Sequence, residues 1–262
     1  MVQSIFKGGE VLNSQRHTSL RYSPETGCKL FADQASAPVT IAEFSAVAAE
    51  YPILFAPAEA GASPVALFAL KEGTNLFVDR KGRWTGHYIP AHFRQLPFFN
   101  THIRDSDKIV LSVLPEAESV HESGDGLALF DEDGQASEFL KAVMEFTRQH
   151  YEHTVTTQKF CRLLAELDLL EETTGTITLP DKSRRILKGL SVVSRKKLHA
   201  LDDAKLAEFE RNGALEAIHL HWASMRNFEN LGERMSQSKK AEPLERQKSV
   251  VSIAQAMSAS VQ

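Results

Sequence analysis

The sequence predicts an α+β protein with a β-rich N-terminal portion and a helical C-terminal portion. Short runs of β-branched and aromatic residues separated by turns fill the first half, as at Ile53–Phe55 and Lys108–Leu114. From Ser137 onward, apolar residues recur every three or four positions, which is the spacing of an amphipathic helix. We therefore divide the chain into β-rich residues 1–135, helical residues 136–235 with an inserted strand pair at 174–193, and a flexible polar tail at 236–262.

The N-terminal portion is predicted to form a mixed or antiparallel sheet. Ile41–Tyr51 is rich in alanine and is followed by Pro52, so a short helix is expected there. Val65–Leu70 and Leu76–Asp79 are predicted strands, and the glycine and asparagine between them tolerate the positive φ of a hairpin. These features predict that the two strands pair with each other.

Proline residues bound one short helix in the same portion. Pro90 suits the first turn of a helix and Pro97 would end it, so one or two helical turns are expected between them.

The C-terminal portion carries recognisable helix boundaries. Ser137 is a suitable N-cap for a long helix, whose middle, 149–159, is poor in apolar residues and predicts a kink, a break or an exposed segment. Asp202 or Asp203 can cap a later helix that Asn212-Gly213 ends. A last helix is expected from Ala214 to about Arg234.

The composition indicates a folded protein with no strong electrostatic attraction to nucleic acid. Of 262 residues, 42% are hydrophobic and 24% are charged, which is ordinary for a globular chain. A net charge of −4 gives no general field that would attract nucleic acid or an anionic membrane. We expect no nucleic-acid partner.

Cysteine usage and hydropathy favour the cytoplasm. Cys28 and Cys161 lie far apart in sequence and belong to no CxxC pair, so reduced thiols are expected. The start has no apolar core of a signal peptide. The best apolar run, Pro64–Leu70, is far shorter than the roughly 20 residues that span a bilayer, so no transmembrane segment is expected. Export to the cell surface by a non-classical route is the alternative.

The sequence lacks the common signatures of catalysis. It contains no GxxxxGK[ST], GxGxxG, GxSxG or HExxH motif, which favours a non-enzymatic role and predicts no cofactor. His150 and His153 share a helix face without an obvious third ligand, and Cys161 fits a small buried hydrophobe, so no metal site or thiol nucleophile is expected.

The best candidates for binding lie in an aromatic block between Trp84 and Phe98. Trp84, Tyr88, His92 and Arg94 are our candidates for contact with a partner or ligand. Trp, Tyr and Arg are enriched among interface hot spots, although the same rings can close the edge of a small core. A deep pocket with convergent polar groups would favour a small ligand, and a flat apolar patch would favour a protein partner.

An ordered set of motifs resembles the bacterial SapC family over about residues 10 to 235. The matching segments are Asn13-Ser14-Gln15-Arg16-His17, Tyr51-Pro52-Ile53-Leu54-Phe55, Asn75-Leu76-Phe77-Val78-Asp79, Gly82-Arg83-Trp84, Tyr88-Ile89-Pro90-Ala91 with Arg94 and Pro97-Phe98, Leu129-Phe130-Asp131-Glu132-Asp133-Gly134, Ile177-Thr178-Leu179-Pro180-Asp181, Leu198-His199-Ala200-Leu201 and Asn212-Gly213-Ala214-Leu215-Glu216. The family is named for bacterial surface layers and their export, and members are often labelled peptide transport permeases.

The resemblance implies a role around the bacterial surface layer, with no catalytic residues to carry over. A permease is not expected, because no segment can span a bilayer. The preferred hypothesis is a non-enzymatic accessory in surface-layer or secreted-protein handling that binds a protein partner. The alternatives are an enzyme or small-ligand-binding protein with an unfamiliar site near residues 84–98, and a surface-layer component itself.

Overall fold

The computed structural model describes residues 8–58, 61–103, 108–122, 124–173, 176–178, 184–186 and 189–241. Antiparallel strands dominate its N-terminal portion and helices its C-terminal portion, so the predicted α+β class is confirmed. The strands are β1 Glu10–Val11, β2 Arg21–Tyr22, β3 Ser36–Pro38, β4 Ile53–Ala58, β5 Gly61–Leu67, β6 Phe98–His102, β7 Ile109–Val113, β8 Val120–His121, β9 Leu127–Ala128, β10 Leu170–Glu172, β11 Thr176–Thr178, β12 Arg184–Ile186 and β13 Ser191–Val193. The α-helices are α1 Ser14–His17, α2 Phe44–Ala48, α3 Ala91–Arg94, α4 Glu138–Glu166, α5 Arg195–His199, α6 Asp203–Arg211, α7 Ala214–Ser224 and α8 Asn227–Ala241.

The central sheet has five strands in the order β10-β13-β4-β5-β3. Its middle is the hairpin of β4 and β5, in which Ile53 lies opposite Ala66 and Ala58 lies opposite Gly61. Ile53, Leu54 and Phe55 are all buried, so β4 is covered on both faces. Two sheets of three strands, β1-β7-β6 and β8-β2-β9, and the pair β11-β12 complete the described strands.

The predicted hairpin between Val65–Leu70 and Leu76–Asp79 is wrong. β5 ends at Leu67 and pairs with β4 and β3, while the second segment contributes only an isolated bridge from Val78 to Trp84. Asn75 explains the difference, because its side chain donates to the Phe31 carbonyl at 3.0 Å and accepts from the Phe77 N–H at 2.9 Å. These bonds hold the chain in a loop instead of a second hairpin strand.

The long helix α4 lies across β5 and β6. It begins as predicted at Ser137, whose hydroxyl accepts from the Leu140 N–H at 3.1 Å. Its 29 residues run without a break through 149–159, so the predicted break is absent, and six of these eleven residues are exposed, as the alternative of an exposed segment predicts.

Glycine allows the β4–β5 hairpin to approach α4 closely. Gly61 has a φ of +93°, and a Cβ at this position would lie 3.2 Å from the Cβ of Ala165. Both the backbone conformation and the space therefore favour glycine. The contact holds the start of β5 against the C-terminal half of α4.

The C-terminal helices follow the predicted caps but not the predicted lengths. Asp202 caps α6, since its carboxylate accepts from the Lys205 N–H at 2.7 Å, and the helix ends at Arg211, before Asn212-Gly213. The single helix expected from Ala214 to about Arg234 is instead two, α7 and α8, separated by two turn residues. α8 extends to Ala241, and residues 242–262 of the expected tail lie outside the described residues.

Polar contacts to the rest of the fold explain this break. The Ser224 hydroxyl accepts from the Ile53 N–H at 2.9 Å. The Asn227 amide donates to the carbonyls of Ala48 and Tyr51 at 2.8 and 3.2 Å. The end of α7 is thus tied to β4 and the start of α8 to the end of α2, which the apolar spacing does not reveal.

A buried histidine takes the place of strand pairing between β13 and β4. The two strands pair directly at Ser191 and Phe55. Beyond that point, His221 of α7 accepts from the Val193 N–H through Nε2 at 3.1 Å, and its Nδ1 lies 2.8 Å from the Ile53 carbonyl oxygen, to which it donates. The imidazole therefore provides a hydrogen-bond partner for one backbone group of β13 and one of β4.

Two hydrophobic cores support this arrangement. The main core contains residues of both sequence portions, among them Phe44, Phe55, Phe160 and Phe209. The smaller core lies beneath β6 and β7 and consists of Leu20, Phe98, Val113, Val120, Leu129 and Leu140. Of the helices within the described ranges, none is both long and apolar enough to cross a membrane.

Candidate functional site

A cavity of about 390 Å³ lies between α4, the β4–β5 hairpin, α3 and the segment that follows β3. This volume is in the range of small-molecule sites in proteins. Its described polar lining consists of Thr40, Ser63, His92, His150, Thr154, Thr157 and Gln158. Its described apolar lining consists of Pro38, Val39, Ala58, Ala62, Pro64 and Cys161.

The middle of α4 supplies one side of this cavity. His150, Thr154, Thr157, Gln158 and Cys161 fall at helical spacings of four, three, one and three, so they share one face. This face turns toward the hairpin, where an apolar stripe would ordinarily lie. The weak apolar pattern of 149–159 therefore marks the wall of the cavity.

A buried carboxylate, Glu43, organises the end of the cavity that Thr40 lines. Its Oε2 accepts from the Thr40 N–H at 3.1 Å and from the Thr40 hydroxyl at 3.0 Å. Its Oε1 accepts from the Tyr88 hydroxyl at 2.8 Å and from the Ala91 N–H at 2.9 Å. Four donors thus hold one carboxylate and join the turn before α2 to the start of α3.

Tyr88 connects Glu43 to Arg94 at the surface. The Arg94 Nη2 donates to the Tyr88 hydroxyl at 3.1 Å, and Nε donates to the Ile89 carbonyl at 2.9 Å. The guanidinium carbon lies 5.3 Å from the centre of the Tyr88 ring and 5.1 Å from that of Phe146. Burial, followed by the charge of Glu43, raises the pKa of Tyr88 to about 12, so the phenol stays protonated at neutral pH.

Two imidazoles of the cavity wall are held uncharged. Burial lowers the pKa of His92 to about 4, and the neighbouring His150 acts in the same direction. Burial also lowers the pKa of His150; Glu43 opposes this shift, whereas His153 and Arg94 reinforce it. At neutral pH both rings are therefore without positive charge.

The buried Nδ1 of His150 has no hydrogen-bond partner among the described protein groups. Leaving a buried polar atom unpaired costs about 1–3 kcal/mol, so such atoms are uncommon in folded proteins. Because His150 lines the cavity, its ring offers unused hydrogen-bonding capacity at the site.

The thiol and hydroxyl groups of the cavity wall are not activated as nucleophiles. Burial raises the pKa of the Cys161 thiol to about 12, so it is not a thiolate at neutral pH. The hydroxyls of Thr154 and Thr157 donate to the carbonyls of His150 and His153, at 2.8 and 2.7 Å. The arrangement is suited to binding, and these residues provide no activated nucleophile.

The four binding residues predicted from sequence occupy two environments. His92 lines the cavity, and Arg94 bonds to Tyr88 close by, all three at or just before α3. Trp84 is half-buried in an aromatic cluster, stacked on Phe77 and edge-on to Phe68. Its Nε1 donates to the Tyr51 hydroxyl at 3.2 Å.

Sequence reasoning missed Glu43 and the polar face of α4. Thr40 and Glu43 have the spacing of a capping box, which predicts the start of a helix. That spacing does not predict the further hydrogen bonds that Glu43 accepts from Tyr88 and Ala91. The polar residues at helical spacing in an otherwise apolar face were the available signal for the rest.

No group of three or more histidine, cysteine, aspartate or glutamate side chains able to hold a metal ion occurs in the described ranges. A Ser–His pair exists elsewhere, with the Ser23 hydroxyl 2.8 Å from the His121 Nε2. The His121 Nδ1 has no partner among the described protein groups, so no third group orients the ring as in a catalytic triad.

The fold and this site define an α+β protein with a cavity of polar and apolar lining and no recognised catalytic constellation among its described residues. The model of the SapC family matches residues 12–231, which is most of the chain. The chain therefore belongs to the SapC family. Comparisons with curated proteins and with solved structures give no match.

Proposed function

We propose that this SapC-family chain binds a small ligand in the cavity between α4 and the β4–β5 hairpin. The observation that carries the proposal is the inward polar face of α4, where His150, Thr154 and Thr157 stand in place of an apolar stripe. Placing polar groups inside a fold costs free energy, and departures of this kind concentrate at functional sites.

The titration behaviour of the site supports binding over catalysis. The Cys161 thiol and the Tyr88 phenol keep their protons at neutral pH, because burial raises the pKa of each to about 12. The imidazole of His92, with its pKa of about 4, is a weak base. A non-enzymatic role fits these groups better than the alternative of an enzyme near residues 84–98.

Filling the cavity from α4 is expected to abolish binding. Thr154→Trp places a large ring in the cavity, whereas Thr156→Trp adds the same ring to an exposed position two residues away. Fragments that bind the wild-type chain in ligand-observed NMR should bind Thr154→Trp at least about tenfold more weakly and Thr156→Trp unchanged.

The same two variants show which result would contradict the proposed function. Circular dichroism and thermal unfolding establish that each variant is folded before binding is compared. If no fragment from a broad library is lost selectively in Thr154→Trp, the cavity is a packing feature and the proposed function is wrong.

A second candidate is the role of a protein-binding accessory in surface-layer or secreted-protein handling, which the family name suggests. The observation that favours it is the ordering of exposed Arg94, which is fixed by two hydrogen bonds and lies beside the rings of Tyr88 and Phe146. A pre-ordered arginine between aromatic rings is typical of interface hot spots.

Removing the Arg94 side chain is expected to abolish binding of the protein partner. In a pulldown from the native bacterium, Arg94→Ala should lose a protein that wild type retains, while Arg148→Ala, another exposed arginine, should keep it. Identical sets of proteins on wild type and Arg94→Ala would exclude Arg94 from any such interface.

We propose the cytoplasm as the compartment, with the cell surface as the alternative. Fractionation of the native bacterium distinguishes these, because recovery in the surface fraction alone would overturn the cytoplasmic assignment. Recovery in the cytosol alone would exclude a surface-layer component.

A further inference from the structure

We propose that the ligand of the cavity is an uncharged, partly apolar molecule that donates a hydrogen bond, such as an alcohol or a primary amide. This inference rests on the ligand-binding function proposed above and adds the chemical class of the ligand. Three independent observations on the cavity wall carry it.

The first observation is that the described lining of the cavity offers no carboxylate, ammonium or guanidinium group to pair with a charged ligand. Among the described residues that line the cavity, none is aspartate, glutamate, lysine or arginine. Glu43 lies behind Thr40 with both oxygens occupied by four protein donors, and Arg94 is exposed at the surface. An ionised ligand would lose hydration at this wall without gaining an ion pair, which is costly.

The second observation concerns the direction of the hydrogen bonds. The hydroxyl hydrogens of Thr40, Thr154 and Thr157 are all committed to protein acceptors, namely Glu43 and the carbonyls of His150 and His153. The hydroxyl oxygen of Thr40 accepts from the Glu43 N–H in a capping box, whereas that of Thr154 accepts no hydrogen bond from the described protein groups. What Thr154 can still offer a ligand is an acceptor, so a ligand that bonds to this hydroxyl has to donate.

The third observation is the unpartnered Nδ1 of His150. In the tautomer protonated at Nε2, Nδ1 is an acceptor, as is the Thr154 hydroxyl oxygen. The lowered pKa of His150 keeps the ring uncharged at neutral pH, so one of its two nitrogens is an acceptor. The apolar part of the ligand then lies against Pro38, Pro64 and Ala62.

Four aromatic probes of nearly equal size separate these features. Benzyl alcohol is neutral and donates, its isomer anisole is neutral and cannot donate, and benzoate and benzylammonium carry opposite charges. Titration of the full chain near pH 7 is followed by NMR through the ring resonances of His150 and, as an internal control, of exposed His153.

Benzyl alcohol is expected to move the His150 resonances, to leave those of His153 in place, and to bind about five- to tenfold more tightly than anisole. Both ions should bind more weakly than benzyl alcohol. His150→Phe should bind benzyl alcohol and anisole alike, and His153→Phe should retain the preference.

Each contrary result overturns a defined part of the proposal. Equal binding of anisole and benzyl alcohol removes the donor requirement, and tighter binding of either ion removes the neutrality. If none of the four probes moves the His150 resonances while other fragments still bind in a manner that Thr154→Trp abolishes, the ligand class is wrong and the ligand-binding function stands. If no fragment shows binding that Thr154→Trp abolishes, the proposed ligand-binding function is wrong.

Discussion

Replacing Glu43 with alanine is expected to destabilise the protein by about 3–5 kcal/mol. The change leaves the N–H groups of Thr40 and Ala91 and the hydroxyl of Tyr88 without their acceptor, at a site where Thr40, Glu43 and Ala91 are buried. Urea unfolding followed by circular dichroism measures the loss.

Two further variants show whether the hydrogen bonds are responsible. Glu43→Gln keeps the shape and one acceptor oxygen, so it should fall between wild type and Glu43→Ala. Glu118→Ala removes an exposed carboxylate that pairs with Lys29 at the surface, and its unfolding midpoint should match that of wild type. A midpoint for Glu43→Ala as high as that of Glu118→Ala would contradict the role assigned to Glu43.

Acid is expected to weaken the fold through His221. Burial lowers the pKa of His221 from 6.5 to about 4 in the folded protein. Between these values the unfolded chain binds more protons than the folded chain, so stability is fully present above about pH 6.5 and is lost as the pH falls toward 4. The contribution of this one residue amounts to about 2 kcal/mol near pH 5.

The cause is the geometry of the imidazole between β13 and β4. Protonation puts a hydrogen on Nε2, which accepts from the Val193 N–H, so one of the two bonds that join the strands is lost. His92, whose pKa is also lowered to about 4, adds an effect of the same sign.

Variants isolate the part due to His221. His221→Leu should be less stable than wild type by about 2–4 kcal/mol at pH 7, because Val193 and Ile53 lose their partner. The difference should shrink by about 2 kcal/mol at pH 5. Exposed His199→Gln should follow the wild-type pH dependence, and an unchanged difference between wild type and His221→Leu at the two pH values would refute the account.

The candidate site was only partly predictable from sequence. Tyr88, His92 and Arg94 lie close together in the chain, so their grouping follows from local spacing. Their partner Glu43 lies 45 residues before Tyr88. His150 belongs to α4, which follows strands β6 to β9 in the chain. No local pattern specifies which distant segments a loop will contact.

The sequence alone determined the features that depend on neighbouring residues. The start of α4 at Ser137 and the cap of α6 at Asp202 are confirmed because a side chain bonds to a backbone N–H three residues later. The α+β class follows from the change of apolar period, and family membership from ordered motifs.

Only the tertiary structure decided which elements meet. It placed β5 beside β4 and β3, divided the last predicted helix through the contacts of Ser224 and Asn227, and enclosed a polar face of α4 as the wall of a cavity. The physical reason is that burial and hydrogen-bond satisfaction are settled among residues far apart in sequence.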